Sequence, residues 1–240
     1  MIGKTRGIIL RCTRYSESSI IASIYTEEFG LLSFNIRGGA KGKGTIRPSH
    51  LQPLNLVDMV IYYNPVKSLN SIKELKCTPP LHYLHQDIKK RSVGIFMLEV
   101  LNKVIREEEK NPQMFGFIYD SVINLEQFDQ IQFTPWFLAH IIKHFGNEPD
   151  CASFSEGMVL DLYNGRFTLP DKTRANMLGQ VGSAYIFILL QTDYQGLENI
   201  EMNYLERIGV ISDLLSYMRL HINESLNINS MDVLREVMAR

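Results

Sequence analysis

At Pro79–Pro80 the hydrophobic pattern of this 240-residue chain changes period, from two residues to three or four, and that switch constrains the fold more than any other feature. Before it, five short runs read as strands. Residues 4–14 alternate Ile8, Leu10 and Cys12 with Ile9, Arg11 and Thr13, with Gly7 as the place for a bulge. The β-branched run 19–27 follows the polar turn YSESS, and Leu31–Arg37 follows a turn around Glu28–Gly30. Leu54–Tyr62 and Lys67–Cys77 complete the set, separated at Asn64–Pro65. Five short antiparallel strands with one long loop and no helix match an OB-type barrel, and an SH3-like barrel fits the same pattern.

Beyond the prolines the spacing is helical. Val93, Phe96, Met97, Val100, Leu101 and Val104 mark one face of a long helix running from Leu81 to the acidic cluster Glu107–Glu109. A second helix runs from Pro112 to Leu125, and a third starts with Thr134 as N-cap and Pro135 at N1 and stops at Gly146. Periodicity then fails between Asn147 and Asp171, where MVLDLY, the turn Asn164–Gly165 and RFTL spell a hairpin. Helices return at Lys172–Leu190, Glu201–Asn223 and Ser230–Ala239. The expected fold is therefore α+β: an OB-type domain over residues 1–79, then a helical domain over 80–240 with an insertion near 147–171.

Charge is divided as sharply as secondary structure. The net charge is −1, yet residues 1–80 hold 11 Lys+Arg against 5 Asp+Glu, which leaves 14 against 21 for the remainder. The basic surplus concentrates in the loop after the third strand. Arg37, Lys41, Lys43 and Arg47 lie there with Gly38, Gly39, Gly42 and Gly44, and no acid occurs between Glu28 and Asp58. Glycines let a backbone approach a partner closely, and four cations favour a polyanion. With Lys4, Arg6, Arg11 and Arg14 of the first strand, these make the expected nucleic-acid-binding set, while Tyr15 or Phe34 supplies a surface for base stacking.

The same sequence argues against catalysis. It lacks a GxSxG elbow, a GxxxxGK[ST] phosphate loop and a GxGxxG leading into a helix. GAKGKGT runs into another strand, so it has no helix dipole to hold a nucleotide triphosphate. His140 and His144 with Cys151 make an incomplete metal set, His82 and His85 a weaker one, and Cys12, Cys77 and Cys151 form no CxxC pair. The expectation is a non-enzymatic protein without cofactor or metal. No apolar run approaches the roughly 20 residues needed to cross a bilayer, and there is no signal-peptide pattern, so no membrane partner and a cytoplasmic location are expected. From the residues alone, an adaptor whose OB domain holds a protein remains an alternative to a DNA binder, since the fold does not decide.

TRGIILRCTRYSESSIIASIYTEEFGLLSFNIRGGAKGKG followed by LQPLNLVDMVIY resembles the bacterial RecO family of recombination mediators and DNA repair proteins. The tail YMRLHINESLNINSMDVL, with Tyr217, His221, Ser230 and Leu234, is similar more loosely. The resemblance implies an N-terminal OB domain and a helical C-terminal domain. It also implies binding to single- and double-stranded DNA, annealing of complementary strands coated with single-stranded-DNA-binding protein, and work with RecR to load RecA in a nucleoid-associated setting. Some members carry a four-cysteine zinc module where this chain has EPDCASFSEG. Only Cys151 remains here, so a metal-free hairpin is expected. The family docks the acidic tail of the single-strand-binding protein on the helical domain, at positions that cannot be matched in this sequence.

Overall fold

A computed structural model describes residues 1–37, 46–106, 110–129, 131–171 and 173–239. The centre of the basic loop, with Lys41, Lys43 and the four glycines, and the acidic cluster Glu107–Glu109 lie outside the described residues. The chain forms two compact units, Met1–Gln127 and Phe128–Arg240.

In the first unit β1 (Ile2–Arg14), β2 (Ser19–Thr26), β3 (Gly30–Arg37), β4 (Leu56–Tyr62) and β5 (Ser71–Cys77) form an antiparallel sheet of order β3-β2-β1-β4-β5. The sheet closes on itself where Asn70 meets β3: its N–H donates to the Ser33 carbonyl at 2.9 Å, and its carbonyl accepts from the Asn35 N–H at 3.1 Å. This is the OB-type barrel, one of the two that the strand pattern allows. Ile9, Ala22, Ile24, Leu32, Phe34, Ile36, Val57, Met59 and Ile61 fill it.

The bulge falls between Ile9 and Arg11 rather than at Gly7. Gly7 lies inside the barrel, where a Cβ would meet Ile24 Cγ2 at 2.7 Å and Met59 Cε at 2.8 Å, so close packing demands the glycine. The bulge also rephases β1. Ile9 and Cys12 share the inner side, while the register sets Arg11 beside Ser23, with Ser23 beside Ser33, on the outer side. Ile8 and Leu10 are buried too, because helices cover this part of the outer face. Asn102 Nδ2 donates to the Leu10 carbonyl at 3.2 Å, and the rings of Tyr25 and Phe115 lie 5.9 Å apart.

Those helices are α1 (Tyr83–Gln86), α2 (Ile88–Val104) and α3 (Pro112–Gln127). The single long helix expected from Leu81 is broken at Asp87, whose carboxylate accepts the Lys90 N–H at 2.8 Å and caps α2. A reciprocal tie then joins the group. The Glu126 carboxylate accepts from the N–H groups of His82, Tyr83 and Leu84 at 2.8, 3.0 and 2.7 Å, and Lys90 Nζ donates to the carbonyls of Leu125 and Glu126. Each helix end thus meets a side chain of the charge that suits it.

The second unit contains α4 (Phe133–His144), a hairpin of β6 (Val159–Asp161) and β7 (Arg166–Thr168), α5 (Gln180–Gln191), α6 (Tyr204–His221) and α7 (Met231–Met238). Gln132, not Thr134, takes the N-cap position of α4; Thr134 and Pro135 are buried in its first turn. Gly146, at φ +69°, ends that helix as expected. Three α4 side chains then satisfy the end of α5: Trp136 Nε1 donates to the Thr192 carbonyl at 2.9 Å, His140 Nε2 lies 3.2 and 3.0 Å from the Leu189 and Thr192 carbonyls, and Lys143 Nζ is 3.5 Å from that of Leu190. His140 is therefore engaged as a helix cap.

The hairpin turn occupies residues 162–165 and pivots on Gly165 at φ +61°. Asp161, almost wholly buried, accepts hydrogen bonds from the Tyr163 and Asn164 N–H groups and from the side-chain amides of Asn164 and Asn176. Burial pushes its carboxyl up, but the hydrogen bonds outweigh burial and hold it below the usual carboxylate range. α5 starts at Gln180, well after the expected residue 172, because residues 176–178 pair with the hairpin instead: Leu178 N–H donates to the Leu160 carbonyl at 3.0 Å. From α6, Tyr217 and His221 stack 4.1 Å apart, and His221 Nε2 lies 2.7 Å from the Leu162 carbonyl.

Candidate nucleic-acid interface

The outer surface of the barrel has two faces, one of mixed charge and one cationic. One, over the first half of β1 with β4 and β5, carries Lys4, Arg6 and Lys76 among Glu27, Glu28, Asp58 and Glu74. Arg6 is ion-paired there. Its Nε and Nη2 donate to the two Glu27 carboxylate oxygens at 2.8 and 2.6 Å, and the guanidinium lies 5.5 and 4.8 Å from the ring centroids of Phe115 and Tyr119. The hydrogen bonds to Glu27 raise the Arg6 pKa, and those to Arg6 lower that of Glu27. Lys4 and Arg6, both expected in the DNA-binding set, thus share a surface whose cations are interleaved with carboxylates.

The other face runs over the second half of β1, β2 and β3. Its cross-strand rows are Arg11–Ser23–Ser33, Thr13–Ile21–Asn35 and Ser19–Arg37. Arg14 pairs with Ile20 at the end of β1, and its guanidinium reaches the Ser16 and Glu17 carbonyls at 3.4 and 3.5 Å. Arg47 is exposed just ahead of the 3-10 turn Pro48–Leu51, its N–H donating to His50 Nδ1 at 3.3 Å. Tyr15 is 71% exposed in the β1–β2 turn. Phe34, the other aromatic expected to stack bases, is 0% exposed: it points into the barrel as the central core ring, so it offers no surface.

Between β3 and β5 this face deepens into a groove of about 500 Å³, lined by Asn35, Arg37, Lys67, Leu69, Asn70 and Lys73 among others. No carboxylate lines it among the described residues. Arg37 and Lys67 form no ion pair with a described residue, whereas Lys73 Nζ lies 3.4 Å from Glu74. The buried Oδ1 of Asn35 has no hydrogen-bond partner among the described residues. Low-dielectric walls lined by one sign of charge concentrate a positive potential. Sequence reading overlooked Lys67 and Lys73, because nothing local shows that the β4–β5 hairpin folds over to β3. Their signal was present all the same: residues 67–76 hold three cations and one acid.

Comparison with known proteins decides the family. Residues 1–80 match the model for the Recombination protein O N terminal region, and residues 85–156 that for the Recombination protein O C terminal region. The chain belongs to the RecO family. Its relatives include the DNA repair protein RecO of Phocaeicola vulgatus, 29% identical over 99% of both chains, and that of Bacteroides fragilis, 28% identical over 99% of both. RecO of Christiangramia forsetii is 27% identical, again over 99% of each chain. RecO membership makes this a recombination mediator of DNA repair and accounts for the OB barrel followed by helices. Among the described residues, no helix is long and apolar enough to cross a membrane.

Proposed function

We propose that this RecO-family chain acts without catalysis, in the bacterial cytoplasm at the nucleoid. It binds single- and double-stranded DNA, anneals complementary strands coated with single-stranded-DNA-binding protein and, with RecR, promotes RecA loading. The observation that carries the reading is the groove between β3 and β5, without a carboxylate among the described residues, cationic at Arg37, Lys67 and Lys73 and bounded by Arg37 and Ile46 at the two ends of the basic loop. Phosphates lie on these residues and on Arg11, Arg14, Lys41, Lys43 and Arg47, while Lys4 and Arg6 stay outside the contact. Holding two strands on cations screens their mutual repulsion, so annealing needs no bond chemistry.

Fluorescence anisotropy with labelled oligonucleotides over a salt series tests the interface. Each lost phosphate contact lowers the log–log salt slope for a single strand by about 0.7, so Arg37→Ala with Lys67→Ala lowers it by about 1.4. A slope unchanged by that double substitution refutes the assignment. Annealing of strands coated with the cognate single-strand-binding protein, with and without RecR, tests the mediator role. Absence of both annealing and complex formation overturns it.

A further inference from the structure

The β4–β5 hairpin separates the cationic groove from a second one of about 590 Å³, lined by Ile2, Tyr62, Tyr63, Pro65, Lys67 and Leu69 among others. The two grooves share Lys67, Leu69, Asn70 and Ser71, so they flank one ridge, the end of the hairpin. No carboxylate lines the second groove among the described residues either.

Tyr62 dominates it. The register places it on the outer side of β4 between Ile2 and Ser71, and it is 49% exposed beside an Ile2 that is 61% exposed. Its neighbour Tyr63 turns the other way and packs against Phe29 at 4.6 Å between ring centroids. Tyr62 makes no ring contact with a described residue. The hairpin beside it is firmly held: the buried Asn70 accepts the Asn64 N–H on its Oδ1 at 2.9 Å, and Asn64 Oδ1 accepts the Val66 N–H at 3.0 Å. An exposed aromatic face beside Lys67, in a groove free of carboxylates among the described residues, suits a base that has left its stack. A duplex keeps its bases stacked inside and offers no free base face for an aromatic ring to cover.

Resting on the DNA-binding reading above, we propose that the groove at Tyr62 is a nucleobase subsite for single-stranded DNA. One base stacks on Tyr62, and the flanking phosphates run over Lys67 to Arg37 and Lys73. This gives the hairpin a role as the ridge that a single strand straddles, with a stacking contact on one side and ionic contacts on the other.

The test compares a 15-nucleotide oligothymidine with an abasic strand of the same length and backbone, in anisotropy over a salt series. Wild type is expected to prefer the strand with bases. Tyr62→Ala weakens binding of oligothymidine by about 5- to 100-fold and leaves the abasic strand and the salt slope unchanged. Tyr62→Phe keeps the preference. Lys67→Ala lowers the slope by about 0.7 on both strands and keeps the preference. If Tyr62→Ala retains the wild-type preference for bases, the subsite is refuted while the DNA reading stands. If wild type binds neither strand at low salt, the DNA reading falls and the subsite with it.

Discussion

Replacing Asp213 with asparagine should stabilise the second unit at neutral pH and do little in acid. Asp213 is half-buried on α6, facing α5 at Gly182, where a Cβ would lie 2.6 Å from its Oδ2. It makes no hydrogen bond or ion pair with a described residue, and burial pushes its carboxyl up to about 6 from an ordinary 3.8. The unfolded chain therefore releases this proton at lower pH than the folded one. Stability falls as pH rises from about 4 to about 6, and the cost stays constant above that. The full displacement corresponds to roughly 3 kcal/mol at 1.36 kcal/mol per pKa unit, and solvent screening of a half-exposed group reduces it to about 1–2 kcal/mol. Asp213→Asn removes the charge and with it that cost. The chain's single tryptophan, Trp136, lies in the same unit, so its fluorescence reports the right transition in urea. With a slope of about 2 kcal/mol per molar urea, the midpoint should rise by about 0.5–1 M at pH 8 and by a small fraction of that at pH 4. An equal shift at both pH values, or a lower midpoint at pH 8, refutes the reasoning.

Three other substitutions probe the structure. Gly165→Ala places a Cβ at φ +61° and 2.7 Å from the Tyr217 hydroxyl, and should cost about 1–3 kcal/mol, read by the same tryptophan transition. Asp161→Asn strips the hairpin of its carboxylate and should cost about 2–3 kcal/mol at pH 7. Because the folded carboxyl of Asp161 titrates below its unfolded value, that penalty should shrink as pH falls below about 4, the opposite trend to Asp213. Arg6→Ala should lose about 1 kcal/mol of thermal stability, from an ion pair partly open to solvent and its ring contacts, yet leave DNA affinity within about twofold of wild type. A large loss of affinity in Arg6→Ala would return the mixed-charge face to the interface.

The strands were legible because Ala22, Ile24, Leu32, Phe34 and Ile36 alternate cleanly with polar or half-exposed neighbours, and period two shows up within a few residues. Phase was harder. An extra residue at Leu10 shifts every later side chain of β1, and Gly7 drew attention as a bulge when its task is to make room for Ile24 and Met59. Alternation also says which residues share a face but not which face is inside, so Phe34 passed for a stacking surface while Tyr62 went unnoticed. Helix starts failed wherever a distant partner claimed the backbone, as the hairpin does at residues 176–178. The sequence left His140 without an assigned partner, because its carbonyl neighbours at Leu189 and Thr192 lie about 50 residues away in the chain. The cationic groove needed barrel closure to bring Lys67 towards Arg37, which no local pattern encodes.

The burial of Ile8, Leu10 and Tyr25 beneath α2 and α3 bears on how this molecule can be dissected. A fragment ending after β5 would keep every strand of the barrel yet bare an apolar stripe along β1 and β2, and would lose both halves of the Lys90–Glu126 tie. Such a piece invites aggregation. Cutting after Gln127 instead carries the covering helices along and leaves a fragment with its own closed core. The excisable module for binding work is therefore barrel and helices together, and a stand-alone barrel would confuse loss of contact with loss of solubility.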